Sequence, residues 1–598
     1  MGWFAVFLNS IKERKNKKIS TYRTNTCGEL TIKDLDKKVT LAGFVLGIRD
    51  HGGVMFIDLR DHYGVTQIVV HDDTMLKGVT KETVIKVTGK VVKRDIDTVN
   101  KKIPTGEIEV VVEELELLSD TAKNLPFEID ESKKVAEDVR LKYRFLDLRN
   151  PKVHEKIVMR SKAFNFLRNK MMELGFLEIT TPIITSSSPE GARDFIIPSR
   201  KHKGKFYALP QAPQQFKQLL MASGFDKYFQ LAPCFRDEDG RKERLVGEFY
   251  QLDMEMAFAD QEDVMAIAEE VYPAFFKEFG KRKVTEGHFK RIPYNESMLK
   301  YGTDKPDLRN PLEIIDVSDV FKETSFRPFR DTIVRAIKVD DIASKPNSWF
   351  NEIVDYAKSI DMPGIGYISV MEDNSFKGPI DKFLTEDDRK ALSHKAGLKT
   401  GSVLFFIADK RRDVVCKNAG LIRTELGRKL DLMDHNLFEF CFVTDMPMYE
   451  ISEITGKLDF MHNPFSMPRG GMKALETMEP LDIYADQFDV VCNGVELVSG
   501  AVRNNRPEVL LKAFSLAGYT EEDIKKKFSA LYTAFKYGCP PHAGMALGID
   551  RSLMMLGEEE SVRETVAFPL NQNGEDVLTG TPNEVTELQL RETHIKLR

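Results

Sequence analysis

Short apolar runs broken by Gly, Asp and Lys fill the chain from residue 27 to residue 118. Residues 39–45, 54–59, 65–70, 84–92 and 108–112 carry the β-branched and aromatic residues that strands favour. Short strands at this density predict a small Greek-key barrel, of which the oligonucleotide-binding (OB) fold is one. On such a barrel Arg49, His51, Phe56 and Gln67 offer a ring and polar groups that can stack and read single-stranded bases. Phe56 serves equally well as a core aromatic in that reading, because its neighbours are apolar too.

Beyond residue 150 the period changes. Residues 153–174 place Ile157, Phe164, Leu167 and Met171 along one side of a helix, and a strand ending at Pro182 follows, as at a sheet edge or an interface. Residues 205–210 read as a strand and 211–218 as the start of a helix. Residues 228–235 and 248–255 are strand patterns around a polar loop of about ten residues, a hairpin with a long loop. From 311 to 440 strands and helices alternate with no convergence of functional groups, which predicts an inserted α+β domain. The pattern of residues 151–310 resumes at 442–447, a strand pair covers 486–503, and small residues at 544–549 lead into a helix starting near Arg551.

The expected fold class is therefore α+β and multidomain. The divisions are an extension at 1–23, the barrel at 24–118 and a charged, irregular hinge at 119–150. A first part of a larger α+β domain follows at 151–310, then the insert at 311–440 and the second part of that domain with a C-terminal extension at 441–598. A chain of 598 residues exceeds what one core supports, in agreement with about three or four domains.

Composition adds limits. The net charge of −6 gives no global attraction to nucleic acid, so any such contact rests on local basic groups. Six cysteines lie far apart without a CxxC pair, which favours reduced thiols in a cytoplasmic protein over a disulfide scaffold or zinc ribbon. In residues 1–20 an apolar stretch precedes a basic one, the reverse of a secretory signal, and reads as a dispensable extension or an organelle presequence. There is neither GxxxxGK[ST] nor GxGxxG, so P-loop and Rossmann nucleotide sites are unsupported.

The hairpin holds the densest chemistry. Arg236 is a planar bidentate donor for phosphate, Glu238 an acceptor for an amino group, and Phe249 a ring on which a base can stack. Taken alone such a hairpin is more often a solvated surface. Asp489 and Glu496 on the 486–503 strand pair suit Mg²⁺ on triphosphate oxygens. Arg551, next to small residues that allow close backbone approach, suits a terminal phosphate.

Together these stretches resemble the bacterial-type aspartyl-tRNA synthetases, class II enzymes, over nearly the whole chain. Residues 175–182, 235–253 and 544–551 look like their motifs 1, 2 and 3. Pro189-Glu190-Gly191-Ala192-Arg193-Asp194, Gln214-Gln215-Phe216-Lys217 and Tyr301-Gly302-Thr303-Asp304-Lys305-Pro306-Asp307-Leu308-Arg309 are characteristic of the aspartyl enzymes, and the insert resembles theirs. The resemblance implies an anticodon-binding OB barrel, an antiparallel catalytic sheet and a homodimer using motif 1. It implies that aspartate and ATP give aspartyl-adenylate, and that the aspartyl group then moves to tRNA.

It also implies roles. ATP would meet Arg236, Asp237, Glu238, Phe249, Glu496, Gly548, Ile549, Asp550 and Arg551, with Mg²⁺ near Asp489 and Glu496. Arg236, Glu238 and Arg551 would be catalytic. Lys217 and Arg503 would pair with the aspartate side chain, while Glu190, Gln214 and Asp253 hold the ammonium and His462 lies nearby. Arg49, Phe56 and Gln67 match anticodon readers. The run Asp50-His51-Gly52-Gly53 resembles non-discriminating members, so His51 points to charging of tRNA-Asn as well as tRNA-Asp, with an amidating partner enzyme. Two departures stand out: motif 2 is one residue longer, with Leu245 where relatives carry an ATP-contacting Gln, and Ala212 replaces a serine near the ammonium.

Competing readings are a tRNA-Asp-only enzyme, a class II synthetase for asparagine or lysine, and a tRNA-binding paralogue without catalysis. Two cations in the amino-acid pocket argue against a neutral or cationic substrate. The presence of Arg236, Arg551 and the acidic pair argues against lost catalysis.

Overall fold

In a computed structural model the described residues are 20–122, 124–187, 192–452 and 455–597. The N-terminal extension up to residue 19 and Glu190 lie outside them. The chain forms two compact units, Met1–Glu128 and Ile129–Arg598.

The first unit is a closed barrel of β1 (Lys38–His51), β2 (Val54–Arg60), β3 (Val65–Val70), β4 (Val84–Lys93) and β5 (Ile108–Ser119), in the order β1-β2-β3-β5-β4. Alternation explains it. Val39, Leu41 and Val45 of β1, with Ile57 and Leu59 of β2, point inward and are fully or almost fully buried. Phe56 and Asp58 fall on the other face of β2, so Phe56 is half-buried outside the core cluster. Phe56 is thus an outer-face ring.

The second unit is organised by an eight-stranded sheet. Its strands are β6 (Leu177–Glu178), β7 (Lys227–Arg236), β8 (Gly247–Ala257), β9 (Lys290–Pro293), β10 (Phe440–Thr444), β11 (Gln487–Cys492), β12 (Val495–Val502) and β13 (His542–Gly548). The spatial order is β9-β10-β11-β12-β13-β8-β7-β6, antiparallel except for the outermost pairs at each edge. One face carries the core: Leu252, Met254, Met545 and Leu547 pack against α1 (Pro151–Glu173) and α3 (Gln261–Phe279), between which α2 (Gln214–Ala222) occurs in sequence. The Asn150 side chain accepts from the Lys152 N–H and Pro151 takes the first helical position, which starts α1 two residues before the apolar pattern does. The helix α4 (Ile549–Leu556) follows β13 directly, starting two residues before the expected Arg551.

The expected hinge at 119–150 is corrected from residue 129 onward. Short helical turns there carry Arg140 and Arg144, which converge on the fully buried Asp147 while Arg140 also reaches Glu564 at 2.7 Å. The high charge of this segment is internal pairing rather than solvation, so sequence polarity misread it.

The inserted segment builds its own five-stranded sheet, in the order Ile314–Asp316, Ile333–Val339, Val403–Asp409, Gly366–Val370 and Phe376–Lys377. Helix Arg412–Lys429 packs against it through Val415, Ile422 and Leu426.

Candidate active site

The other face of the eight-stranded sheet is polar, and period-two alternation makes it so. On β8, Phe249, Gln251, Asp253 and Glu255 share this face, while register sets Arg236 of β7 beside Gly247. Across from them β13 presents only Gly544, Ala546 and Gly548, opposite Glu255, Asp253 and Gln251. The small residues form a floor, and the charged ones stand above it. A Cβ built on Gly544 would lie 2.0 Å from a Glu255 carboxylate oxygen, so this glycine exists to make room for a buried charge.

A cavity of about 330 Å³ sits here. Its lining includes Gln214, Lys217, Arg236, Glu238, Phe249, Asp253, His462, Glu496, Arg503, Gly548, Asp550 and Arg551, and the two departures, Ala212 and Leu245. The long hairpin, α2, β12, the turn after it, β13, α4 and the segment holding His462 thus bring twelve predicted residues to one cavity. Asp237 and Ile549 are exceptions. The first is exposed and pairs through its backbone with Arg193; the second is fully buried in the apolar core, leaving only its main chain for a ligand. Asp550 touches the cavity, but its oxygens accept from Arg160 and from the Tyr250 N–H at 2.7 Å, so it anchors the start of α4 to β8.

At the deep end lie two cations and two carboxylates. Lys217 Nζ is 2.6 Å from Asp253 and 3.5 Å from Glu255, and Arg503 donates to Glu255 through Nε at 2.9 Å and Nη2 at 3.2 Å. Nη2 also donates to the Gly544 carbonyl at 3.0 Å, which among the described residues leaves the Nη1 edge of Arg503 for an anion in the cavity. Burial pushes the Asp253 carboxyl up, against the pull of Lys217. Burial would raise Glu255 too, but the charges of Arg503, Lys217 and His542 hold it below the ordinary carboxylate range. Glu255, which pairs with both cations, is a buried carboxylate that the motif reading passed over. Its signal was its place two residues after Asp253 on a strand, which puts both carboxylates on one face.

Several buried polar atoms lack partners among the described residues: Gln214 Nε2, Arg236 Nε and Asp253 Oδ2. Three orphans facing one cavity are what a polar ligand would complete.

At the other end the Arg236 guanidinium lies 5.0 Å from the Phe249 ring centroid, and Arg244 pairs with Glu238. Arg551 donates to the Glu496 carbonyl oxygen. The β11–β12 register slips by one residue between Val490 and Val491, so Glu496 and Ser499, an odd number apart, both face the cavity. Asp489 lies behind them, with Oδ1 unpaired; burial and then the Glu496 carboxylate push its carboxyl well above the usual range. Lys305 Nζ is 3.3 Å from Glu496 and also meets Asp304. His462 stands exposed at the edge, beside Asp304, Lys305 and Glu496.

On the barrel Arg49 holds Asp58 at 2.6 Å and donates to Gln67 Oε1 at 3.2 Å. The His51 and Phe56 rings meet edge to face with centroids 5.6 Å apart.

A family model described as tRNA synthetases class II (D, K and N) matches residues 136–572, and one described as OB-fold nucleic acid binding domain matches residues 39–118. The chain belongs to the class II tRNA synthetases. This synthetase is 51% identical over 581 residues to the aspartate–tRNA ligase of Streptomyces coelicolor, covering 96% of this chain and 99% of that protein. It is also 51% identical over 590 residues to the aspartate–tRNA(Asp/Asn) ligase of Rickettsia felis, covering 96% and 98%. Among solved structures, an asparaginyl-tRNA synthetase from Pyrococcus horikoshii shares the fold at a TM-score of 0.56 and 19% identity, covering 91% of this chain and 97% of that one. Class II synthetases use ATP, in agreement with the Arg236–Phe249 end of the cavity.

Proposed function

We propose that this synthetase activates L-aspartate with ATP and transfers it to tRNA-Asp and also to tRNA-Asn. The observation that carries the choice of amino acid is the deep end of the cavity, where Lys217 and Arg503 lie together with one guanidinium edge uncommitted. An asparagine side chain there would turn an amide N–H donor toward the uncommitted Arg503 edge and Lys217, donor against donor, a mismatch worth several kcal/mol and on the order of 10³–10⁵ in selection.

In the first step a carboxylate oxygen of aspartate attacks the α-phosphorus of ATP, and the bond to the pyrophosphate oxygen breaks. Arg236 neutralises charge growing on the α-phosphate, Phe249 stacks on the adenine, Glu238 accepts from its amino group and Arg551 takes the γ-phosphate. No side chain forms a covalent bond; position and charge carry the step. Gln214 and Asp253, through their orphaned atoms, hold the ammonium. In the second step a hydroxyl of the terminal tRNA ribose attacks the acyl carbon and AMP leaves.

Asp489 and Glu496 fit a divalent cation, because Asp489 Oδ1 is buried and unpaired beside a second carboxylate. Bound there with ATP, magnesium would screen phosphate charge.

Charging of tRNA-Asn rests on the barrel. His51 packs on the edge of Phe56, within the group that holds Arg49 and Gln67, so a change there alters base reading without touching the amino-acid pocket. Relatives at equal identity carry both names. A homodimer is supported by exposed apolar side chains on β6 (Leu177), on the segment after it (Ile184) and on the hairpin 196–208 bridged to that segment (Ile196, Phe206). No helix among the described residues is long and apolar enough to cross a membrane. None of the six cysteines is joined in a disulfide, which suits a reducing cytoplasm.

The test is aspartate charging of tRNA-Asp and tRNA-Asn transcripts by the purified protein. Charging of tRNA-Asp alone would remove the reading of His51. Charging of neither, with asparagine-dependent pyrophosphate exchange instead, would overturn the pocket assignment.

A further inference from the structure

The inserted segment contributes no residue to the cavity, yet it is locked to a loop that does approach it. Residues 301–310 carry Lys305, and helix Arg412–Lys429 lies against this loop backbone to backbone. Gly302, at φ +70, would place a Cβ 2.4 Å from the Gly420 nitrogen; Gly420 would place one 2.6 Å from the Gly302 oxygen. Gly427 would place one 2.3 Å from Asn310 Nδ2. The two backbone contacts between Gly302 and Gly420 require glycine, and a side chain at Gly427 would push the Asn310 amide aside.

Arg423 from the same helix is 2% exposed. Its donors go to main-chain carbonyls of this loop and its continuation: Nε to Leu312 at 2.5 Å, and Nη2 to Asp307 at 2.9 Å and Asn310 at 2.6 Å. Its guanidinium also covers the Tyr301 ring at 5.0 Å. Asn310 returns a bond, donating through Nδ2 to the Arg423 carbonyl at 3.0 Å. Burying a guanidinium is costly, and an apolar side chain would pack a helix more cheaply. What the arginine adds is a fixed path for residues 307–312.

The other side of that path faces the catalytic sheet. The Asn493-Gly494 turn joining β11 and β12 abuts it, and a Cβ on Gly494 would lie 3.3 Å from Asp307 Cβ. Lys305 Nζ then reaches the Glu496 carboxylate at 3.3 Å. Glu496 is a junction: its side chain meets Lys305, while its carbonyl accepts from Arg551.

We infer that the inserted segment acts on the reaction through this loop. Arg423 is a positioning residue that holds Lys305 against Glu496, and Lys305 in turn sets Glu496 for the triphosphate end of ATP. Without Lys305, Glu496 faces Asp489 with no balancing ammonium and turns away. The inference deepens the proposed activity and rests on it.

The test measures pyrophosphate exchange as a function of ATP and of aspartate, together with calorimetric binding of a non-hydrolysable ATP analogue with magnesium. Arg423→Met and Lys305→Met should each raise KM for ATP and weaken analogue binding about tenfold, with KM for aspartate changed less than about twofold. The double variant should be no worse than Lys305→Met alone, since both act through one group. Should Arg423→Met not fold, Arg423→Lys keeps the stem and charge but not the planar fork and carries the same expectation. Wild-type ATP dependence in either folded variant would overturn the inference, as would additive effects in the double variant or equal damage to both substrates. Absence of aspartate-dependent exchange in the wild-type protein would strike the proposed function instead.

Discussion

Arg503 and Glu255 face each other as a two-point ion pair, 2.9 and 3.2 Å, with the carboxylate fully buried and the guanidinium 2% exposed. The pair orients the arginine so that its remaining edge meets the cavity, and it removes the cost of keeping a guanidinium there when no substrate is present. Replacing Arg503 by Leu should reduce aspartate activation by roughly 10³-fold or more, since it removes the anion partner and strands Glu255. Near-normal aspartate-dependent exchange in Arg503→Leu would remove this residue from the pocket.

Gly544 is the counterpart of that pair in the floor. A methyl group there would lie 2.0 Å from Glu255 and 2.2 Å from the Met254 carbonyl. Gly544→Ala should therefore displace Glu255 and with it Arg503, at about 1–3 kcal/mol in stability and with loss of most aspartate affinity. Thermal unfolding together with KM for aspartate reads both effects. A folded variant with unchanged KM would contradict the crowding.

Phe249 lies against Arg236 with 5.0 Å between guanidinium and ring. Phe249→Ala should raise KM for ATP roughly 10- to 100-fold, as expected for loss of base stacking worth about 1–3 kcal/mol. KM for aspartate should move far less, because Lys217 and Arg503 lie at the other end. Equal changes in both would show that the ring supports the hairpin and not the nucleotide.

The barrel is a compact unit of its own, ending at Glu128. Phe56→Ala should thus leave aspartate-dependent pyrophosphate exchange unchanged while raising KM for tRNA by roughly 5- to 100-fold. A fall in exchange equal to the fall in charging would refute a role confined to tRNA.

His542 is fully buried next to Glu255, Arg503 and Lys217, and its Nδ1 lies 2.8 Å from the Pro540 carbonyl oxygen. Burial lowers its imidazole below the ordinary value of 6.5, against the pull of Glu255. A group with a depressed folded pKa contributes stability above its unfolded pKa and loses it as pH falls through the folded one. The stability of wild type relative to His542→Gln should hold above about pH 7 and decline as pH falls below about 6.5. The difference isolates this group from Asp253 and Asp489, whose raised carboxyls act in the opposite direction. A difference constant from about pH 8 to about pH 5 would show that His542 titrates normally.

Much of this protein was determined by local pattern. The barrel strands, the hairpin at Arg236 and Phe249, and the small residues leading to Arg551 were legible because side-chain period and backbone propensity are properties of neighbouring residues. The motif order identified the family for the same reason. What only the tertiary structure decided lies in pairings across distance. Nothing in the run around Arg140 and Arg144 shows that their charges are spent on Asp147 and Glu564, so a buried cluster read as a hinge. Phe56 could not be assigned to core or surface until strand register put Ile57 and Leu59 inside. Glu255 and Arg503 are 248 positions apart, and Asn310 and Arg423 are separated by 113. Desolvation makes such partners matter, because a buried charge is tolerable only where a distant segment supplies its opposite or its hydrogen bonds. That supply depends on the packing of the whole sheet, which no local stretch of sequence records.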